Sequence, residues 1–144
     1  MNLNQCALFK LPCIHDPRGN LTFVESHRHI PFEIRRVYYL HDIPKGAERG
    51  GHAHRNLHQL VIATSGSFDI HLDDGETKKT WRLNRSHLGL YIRPMVWREI
   101  DHFSSDAVCM VLASDYYDED DYYRNYARFL HDVRHFKLSC KSPS

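Results

Sequence analysis

The chain has 144 residues, of which 42% are hydrophobic and 12% aromatic, enough for one globular domain with its own core. Its 19 basic and 18 acidic residues leave a formal net charge of +1, so no overall positive field points to nucleic acid or to an anionic membrane surface. No apolar run approaches the ~20 residues of a membrane span, and the first residues lack the pattern of a signal peptide. We therefore expect a cytoplasmic protein with a single domain over residues 1–144 that binds neither nucleic acid nor membrane.

Short apolar and aromatic runs, separated by turn signals, follow one another along most of the chain. The first ones are GNLTFVES after the breaker HDPRG, IRRVYYLHDI before Pro44, and LHQLVIATSGSFDIHL before the hairpin-type turn DDG. TKKTWRL, LGLYIRPMVWREI and DAVCMVLAS continue the series. About eight strands at this spacing are typical of an all-β sandwich or barrel. Gly66, between two apolar runs, predicts a turn.

Residues 118–136, DEDDYYRNYARFLHDVRHF, have a different pattern. Acidic residues lead and basic residues trail, which suits the macrodipole of a helix. Hydrophobic residues recur at helical spacing: Tyr122, Tyr126, Phe129, Leu130, Val133 and Phe136. We therefore predict one C-terminal helix packed on the β domain.

Two histidines, His52 and His54, stand one residue apart in a strand-like run. Because residues i and i+2 of a strand face the same side, both imidazoles can point into one cavity. Counted from Gly46 through the two histidines and Gln59 to Gly66, the spacing resembles the first cupin motif, G-x5-H-x-H-x4-E-x6-G. That motif implies a double-stranded β-helix, or jelly roll.

The metal ligands of a cupin are incomplete in this sequence. Gln59 occupies the glutamate position, and Arg98 and Glu99 stand where the second motif would supply a histidine. An amide and a guanidinium are poor ligands for Fe, Mn or Zn, so we expect neither a catalytic metal nor another cofactor. We instead assign the histidine pair to acid/base catalysis, because imidazole titrates near neutral pH.

Two other interpretations of the histidine pair remain, a metal-dependent dioxygenase and a structural pair of buried histidines. The other histidines are expected to be ordinary surface or strand residues: His15, His27, His29, His71, His87, His102, His131 and His135.

Arginine and aromatic side chains form the second informative set. Several arginines, Arg49 and Arg98 among them, lie on or beside the predicted strands. Because Arg grips phosphate bidentately, their position beside the histidine pair predicts a phosphorylated substrate. Most of these arginines are nevertheless expected on solvated faces, paired with carboxylates. Tyr38 and Tyr39 can supply a stacking surface or a phenol that moves a proton, with core packing as the alternative.

Together, RRVYYL, RGGHAHR, GSFDIHLDDG and LGLYIRPMVWREIDHFSSDAVCMVLASDYYDEDDYYRNYARF resemble the bacterial sugar nucleotide 3,4-ketoisomerases, the WxcM-like or FdtA-like cupins. The resemblance covers roughly residues 8 to 131. It implies an all-β cupin jelly roll with one C-terminal helix that forms a homodimer and needs no metal. It also implies conversion of dTDP-4-keto-6-deoxyglucose into a dTDP-3-keto-6-deoxyhexose through an enediolate, for the deoxyaminosugars of surface polysaccharides such as O-antigen or of antibiotics.

The same resemblance implies the roles of individual residues. The expected catalytic residues are His52, His54 and Tyr39, with His54 as the favoured base and Tyr39 as a helper at the sugar oxygens. The expected substrate-binding residues are Arg18, Arg49, Tyr38, Gln59 and Arg98. Of these, Arg49 or Arg98 would stabilise the enediolate, and Arg18 would reach the site through the N-terminal segment.

One departure from the family leaves the product open. Several members have histidine where this chain has Arg98, so the configuration at C4 is not fixed by the resemblance. Two alternative functions also remain. A dTDP-sugar 3,5-epimerase shares the jelly roll but removes protons at C3 and C5, and a non-catalytic cupin would only bind the sugar.

Overall fold

The computed structural model describes the backbone of residues 6–141 and the side chains up to residue 135. Within these limits the chain forms β-strands, a 3₁₀ turn over Glu119–Asp121 and one α-helix, α1 (Tyr126–Lys141). The strands are β1 (Ala7–Lys10), β2 (Cys13–Asp16), β3 (Gly19–Thr22), β4 (Arg36–Leu40), β5 (Arg49–His54), β6 (Gln59–Ser65), β7 (Phe68–Asp73), β8 (Lys78–Leu83), β9 (Leu88–Ile92), β10 (Trp97–Asp101), β11 (Val108–Ala113) and β12 (Tyr122–Tyr123).

Two five-stranded sheets enclose the main core. Their strand orders are β1-β9-β6-β11-β4 and β12-β5-β10-β7-β8, and β2 and β3 form a separate hairpin. Apolar side chains from both sheets meet between them, including Phe68, Ile70, Leu90 and Val111, all of them buried. This arrangement confirms the predicted all-β jelly roll with one C-terminal helix.

Turn residues join the strands where the sequence pattern places them. Gly66 lies between β6 and β7 in a left-handed conformation with φ of +64°, which glycine adopts without steric cost. The DDG turn joins β7 to β8, which pair antiparallel with Asp73 opposite Lys78. The strands on either side of both turns were therefore readable from the sequence.

Helix α1 covers part of the outer face of the second sheet. Phe129 and Val133 pack against Ala53 and Trp97, so the predicted C-terminal helix is confirmed. The helical assignment of Tyr122 is wrong, because this residue lies in β12, opposite His54 of β5.

The cause of this difference is local. Asp118 accepts a hydrogen bond from the backbone N–H of Asp120 and caps the 3₁₀ turn, after which the chain extends. The side chain of Phe136 lies outside the described residues. No helix in the described range is long and apolar enough to span a bilayer.

Candidate active site

A cavity of about 370 Å³ opens between the two sheets, within the usual size range of small-molecule sites. Strands of both sheets contribute to it. Its lining residues are Arg36, Tyr38, Leu40, Arg49, Gly50, His52, Gln59, Val61, Ile92, Arg98, Ile100, Val111, Tyr117, Tyr122 and Arg124. The fold thus brings five of the predicted site residues to one place: Tyr38, Arg49, His52, Gln59 and Arg98.

The two histidines of β5 lie side by side, but only one lines the cavity. Their ring centroids are 4.9 Å apart and the rings are nearly perpendicular, at 86°. His52 is a lining residue, whereas His54 lies behind it and is only 1% exposed. The Tyr122 ring, brought in by β12, contacts both imidazoles at centroid distances of 5.1 and 4.3 Å.

Hydrogen bonds fix the tautomer of each imidazole. The His52 ring is bonded to the backbone of Gly50, and its Nε2 has no partner among the described residues, so Nδ1–H makes the bond to Gly50. His54 Nδ1 lies 3.0 Å from the Asp121 carboxylate. Since a carboxylate accepts, Nδ1 carries the proton there as well, and the buried Nε2 of each ring is left as a proton acceptor.

The surroundings keep both imidazoles neutral. Burial, reinforced by the positive charge of Arg98, lowers the pKa of His52 to about 3. The same two causes hold the pKa of His54 far below its usual value. Burial raises the pKa of the Asp121 carboxyl. At neutral pH the site therefore presents an unprotonated nitrogen, the form that a general base requires.

Arg98 is a buried cation at the back of the cavity. It donates to Gln59 Oε1 and, at 3.0 Å, to the carbonyl of Val96. Burial lowers its pKa to about 10, so it stays charged at neutral pH. Its Nε has no partner within the described part of the chain.

Gln59 links Arg98 to the hydroxyl of Tyr38. Because a guanidinium only donates, the Gln59 carbonyl must face Arg98, and its amide nitrogen then donates to the Tyr38 oxygen at 2.9 Å. The Tyr38 hydrogen remains available for an acceptor in the cavity. A glutamate at position 59 would neutralise Arg98, whereas glutamine leaves its charge in place.

The mouth of the cavity combines arginine with aromatic rings. Arg124 lies over the Tyr122 ring at 4.2 Å and pairs with Glu119. Arg36 lies 5.3 Å from the Tyr38 ring and 5.7 Å from the Tyr117 ring. Guanidinium groups bind phosphate oxygens and exposed rings stack on a base, so the mouth suits a nucleoside diphosphate.

Besides the buried His54, two predicted site residues do not line the cavity. Tyr39 follows Tyr38 in β4 and therefore points to the opposite face, where it is 58% exposed. Arg18, beside the turn of the β2–β3 hairpin, has a side chain 91% exposed and paired with Asp16 at 2.9 Å. Neither side chain lines the cavity, so of the two neighbouring tyrosines in β4 it is Tyr38 that presents its phenol to the site.

Sequence reasoning missed several residues that complete the site. Tyr117, Asp121, Tyr122 and Arg124 belong to the stretch ASDYYDEDDYYRNY, which carries part of the family resemblance. That stretch was the available signal. The helical interpretation of residues 118–136 kept Asp121, Tyr122 and Arg124 apart from the histidine pair.

Comparison with known proteins identifies the family of the chain. The family described as FdtA: WxcM-like, C-terminal, matches residues 4–134. A TDP-4-oxo-6-deoxy-alpha-D-glucose-3,4-oxoisomerase from Aneurinibacillus thermoaerophilus is 48% identical over 116 residues, which cover 81% of this chain and 84% of that protein.

Solved structures give the same result. The sugar 3,4-ketoisomerase QdtA from Thermoanaerobacterium thermosaccharolyticum, in complex with TDP, is 43% identical with a TM-score of 0.91, covering 94% of this chain and 98% of its own. The WlaRB TDP-quinovose 3,4-ketoisomerase from Campylobacter jejuni is 48% identical with a TM-score of 0.84, covering 88% and 97%. A dTDP-4-dehydrorhamnose 3,5-epimerase from Bacillus anthracis is only 15% identical at a TM-score of 0.73, a likeness of fold alone.

Proposed function

The chain belongs to the FdtA family of WxcM-like, C-terminal domains, and we propose that it is a TDP-sugar 3,4-ketoisomerase acting on TDP-4-keto-6-deoxyglucose. It is an isomerase, like its relative that is 48% identical. The observation that carries the proposal is the pairing of His52 with Arg98. The neutral His52 lines the cavity, and the buried cation Arg98 lies directly opposite it on the neighbouring strand.

The reaction moves a carbonyl from C4 to C3 by proton transfers only. His52 Nε2 takes the proton from C3, and the electron pair of that bond forms an enediolate across C3 and C4. C4 then gains a proton, O3 loses one and O4 gains one, so atoms and electrons balance without an oxidant. His52, rather than His54, is the base because it alone of the two lines the cavity.

Arg98 and Tyr38 act on the sugar oxygens O3 and O4, Arg98 by its charge and Tyr38 by proton transfer. The negative charge of the enediolate develops in a buried site, where the fixed charge of Arg98 stabilises it more strongly than water would. Tyr38 accepts from Gln59, so its own proton can be given to O4, and the phenol can recover a proton from O3.

Arg36 and Arg124 at the mouth hold the diphosphate, and Tyr117 and Tyr122 contact the base.

Proton NMR in D2O tests this function. The purified protein, freed of metal with a chelator, is incubated with TDP-4-keto-6-deoxyglucose, and we expect a 3-keto sugar nucleotide that carries solvent deuterium at C4. The coupling of the proton at C4, followed in H2O, assigns the epimer. Exchange at C3 and C5 without carbonyl migration would instead indicate an epimerase, and tight TDP binding with no exchange would indicate a sugar-binding cupin.

We further propose that a second copy of the chain covers the β2–β3 hairpin. Ile14 and Leu21 are cross-strand partners in it and are 56% and 57% exposed. A lone two-stranded hairpin is marginal in water, and in the described fold it pairs with no other strand. A homodimer would bury this apolar pair and give Arg18 a route to the partner's cavity.

Light scattering on the full chain tests the dimer. We expect the mass of two chains for the native protein and a shift toward one chain for Ile14→Lys. His15→Lys places the same charge on the other face of β2 and should stay dimeric. A native monomer, or equal masses for the two variants, would contradict this interface.

A further inference from the structure

We propose that His71, Asp101 and His102 form a binding site for a divalent transition-metal ion on the outer face of the second sheet. This site is separate from the cavity and has no part in proton transfer. In β10, Arg98 and Ile100 line the cavity, so by strand alternation Glu99 and Asp101 face outward.

The donor atoms of the three residues converge on one point. Asp101 Oδ1 lies 2.7 Å from His71 Nε2 and 2.9 Å from His102 Nδ1. All three donor atoms lie within 4.8 Å of one another. In a tetrahedral zinc site, with metal–ligand distances near 2.0–2.2 Å, neighbouring donors are about 3.3 Å apart. The Asp101 contacts therefore need to open by only about half an ångström to admit an ion.

Neighbouring side chains orient these donors. Thr80 Oγ1 lies 2.8 Å from His71 Nδ1. Without a metal, the Asp101 carboxylate accepts from Nε2–H and the Thr80 hydroxyl donates to Nδ1. When Nε2 binds an ion, the ring proton lies on Nδ1 and the hydroxyl accepts it. Such a bond on the far nitrogen accompanies most metal-binding histidines. Across the strand pair, Asp69 lies opposite Asp101, and its Oδ2 is 3.1 Å from His102 Nδ1.

Asp69 supplies a second carboxylate beside the three donors. Arg82 holds its other oxygen at 3.0 Å, so its position is fixed. Two imidazoles with one or two carboxylates are the ligand set of zinc and of cobalt or nickel, rather than of calcium or magnesium. An ion here would tie β7 to β10 and stabilise the folded chain, because the unfolded chain does not bring these residues together.

Titration of the untagged, chelator-treated full chain with Co²⁺ tests the site. We expect one equivalent to bind by calorimetry and to give the visible absorption of histidine-ligated cobalt, and Zn²⁺ to displace it. Asp101→Asn and His102→Ala should each weaken binding at least about tenfold. Sugar nucleotide turnover should be the same with and without the metal and in both variants.

A second histidine pair provides the matched control. His131 and His135 lie one turn apart on α1 with stacked rings 5.9 Å apart, a spacing that can also hold a metal ion. His131→Ala should keep the full equivalent. The proposal is overturned if His131→Ala removes the binding, if His102→Ala binds as tightly as the native chain, or if less than one equivalent binds.

Discussion

His52 and His54 have the same side chain and nearly the same electrostatic environment, yet only His52 lines the cavity. We predict that His52→Asn lowers kcat at least about 100-fold, because the variant lacks the nitrogen that accepts the C3 proton. The affinity for TDP should change little, since arginine and aromatic residues at the mouth bind the nucleotide. Steady-state kinetics and calorimetry with TDP measure the two effects.

The control for this variant is His41→Asn, which changes an exposed histidine paired with Asp42 at 2.7 Å. It should turn over substrate like the native chain. Near-native turnover by His52→Asn would assign the base to another residue.

Asp121 is a positioning residue that acts through His54. Its two oxygens have different partners, since Oδ1 accepts from the backbone N–H of Asn56 at 2.8 Å and Oδ2 faces His54 Nδ1. In Asp121→Asn, the amide oxygen keeps the Asn56 bond and the NH2 group faces His54. Nδ1 must then accept, so the proton of His54 moves to Nε2.

We predict that this tautomer change is visible in the ¹⁵N NMR shifts of the His54 ring. It should also lower kcat about tenfold, because the His54 ring packs against the base His52 with centroids 4.9 Å apart and would place an N–H where it had a lone pair. Asp120→Asn, at the neighbouring exposed position, should leave both unchanged. An unaltered His54 spectrum in Asp121→Asn would refute the positioning role.

At the scale of secondary-structure elements, the β5–β10 strand pair depends on Gly50. This residue has φ of +87°, and a Cβ there would lie 3.0 Å from the carbonyl oxygen of Arg98, next to the register shift between Arg98 and Glu99. We predict that Gly50→Ala lowers the free energy of unfolding by about 1–3 kcal/mol. It should also lower kcat, because both Arg98 and the Gly50 backbone group that accepts from His52 would shift. Urea unfolding and kinetics measure the two changes.

Gly46→Ala separates the steric contact from the backbone strain. Gly46 has a similar φ of +81°, but a Cβ there would meet nothing within 4 Å. This variant should carry the strain alone, with native kcat. Equal effects of the two substitutions would show that contact with Arg98 is unimportant.

The elements also show where sequence reasoning succeeds and fails. Strand alternation places His52 and His54 on one side, because their spacing of two fixes it. The same rule states that Tyr38 and Tyr39 face opposite ways but cannot say which one faces in, since both suit a β-strand. The helical prediction for Tyr122 was wrong for another reason. Its strand pairing with His54 joins residues 68 positions apart, and helical spacing cannot reveal such a contact.

At the scale of the whole molecule, the charge balance conceals a local concentration. The net charge is +1, but Arg36, Arg49, Arg98 and Arg124 all line the cavity, and its described lining includes no carboxylate. The balanced composition therefore gives no sign of this anion site. Only the fold brings these arginines together.

Burial of the two histidines beside Arg98 makes the stability of the whole chain depend on pH. The pKa of His52 falls from 6.5 to about 3 on folding, and that of His54 falls in the same direction. The folded state thus binds fewer protons than the unfolded state, so this stability is fully present above about pH 6.5 and is lost as the pH falls toward 3. Asp121 acts in the opposite sense, because burial raises its pKa.

We predict that lowering the pH from about 7.5 to about 5 costs the native chain about 2 kcal/mol more of its unfolding free energy than it costs His52→Asn, which lacks that titration. Urea unfolding of both proteins at the two pH values measures the difference, and Asp121 drops out of the comparison because both proteins contain it. His41→Asn, which removes an exposed histidine, should follow the native chain. If His52→Asn loses as much stability as the native chain does, then His52 is not held neutral by its burial against Arg98, and it would not be the unprotonated base on which the proposed isomerisation depends.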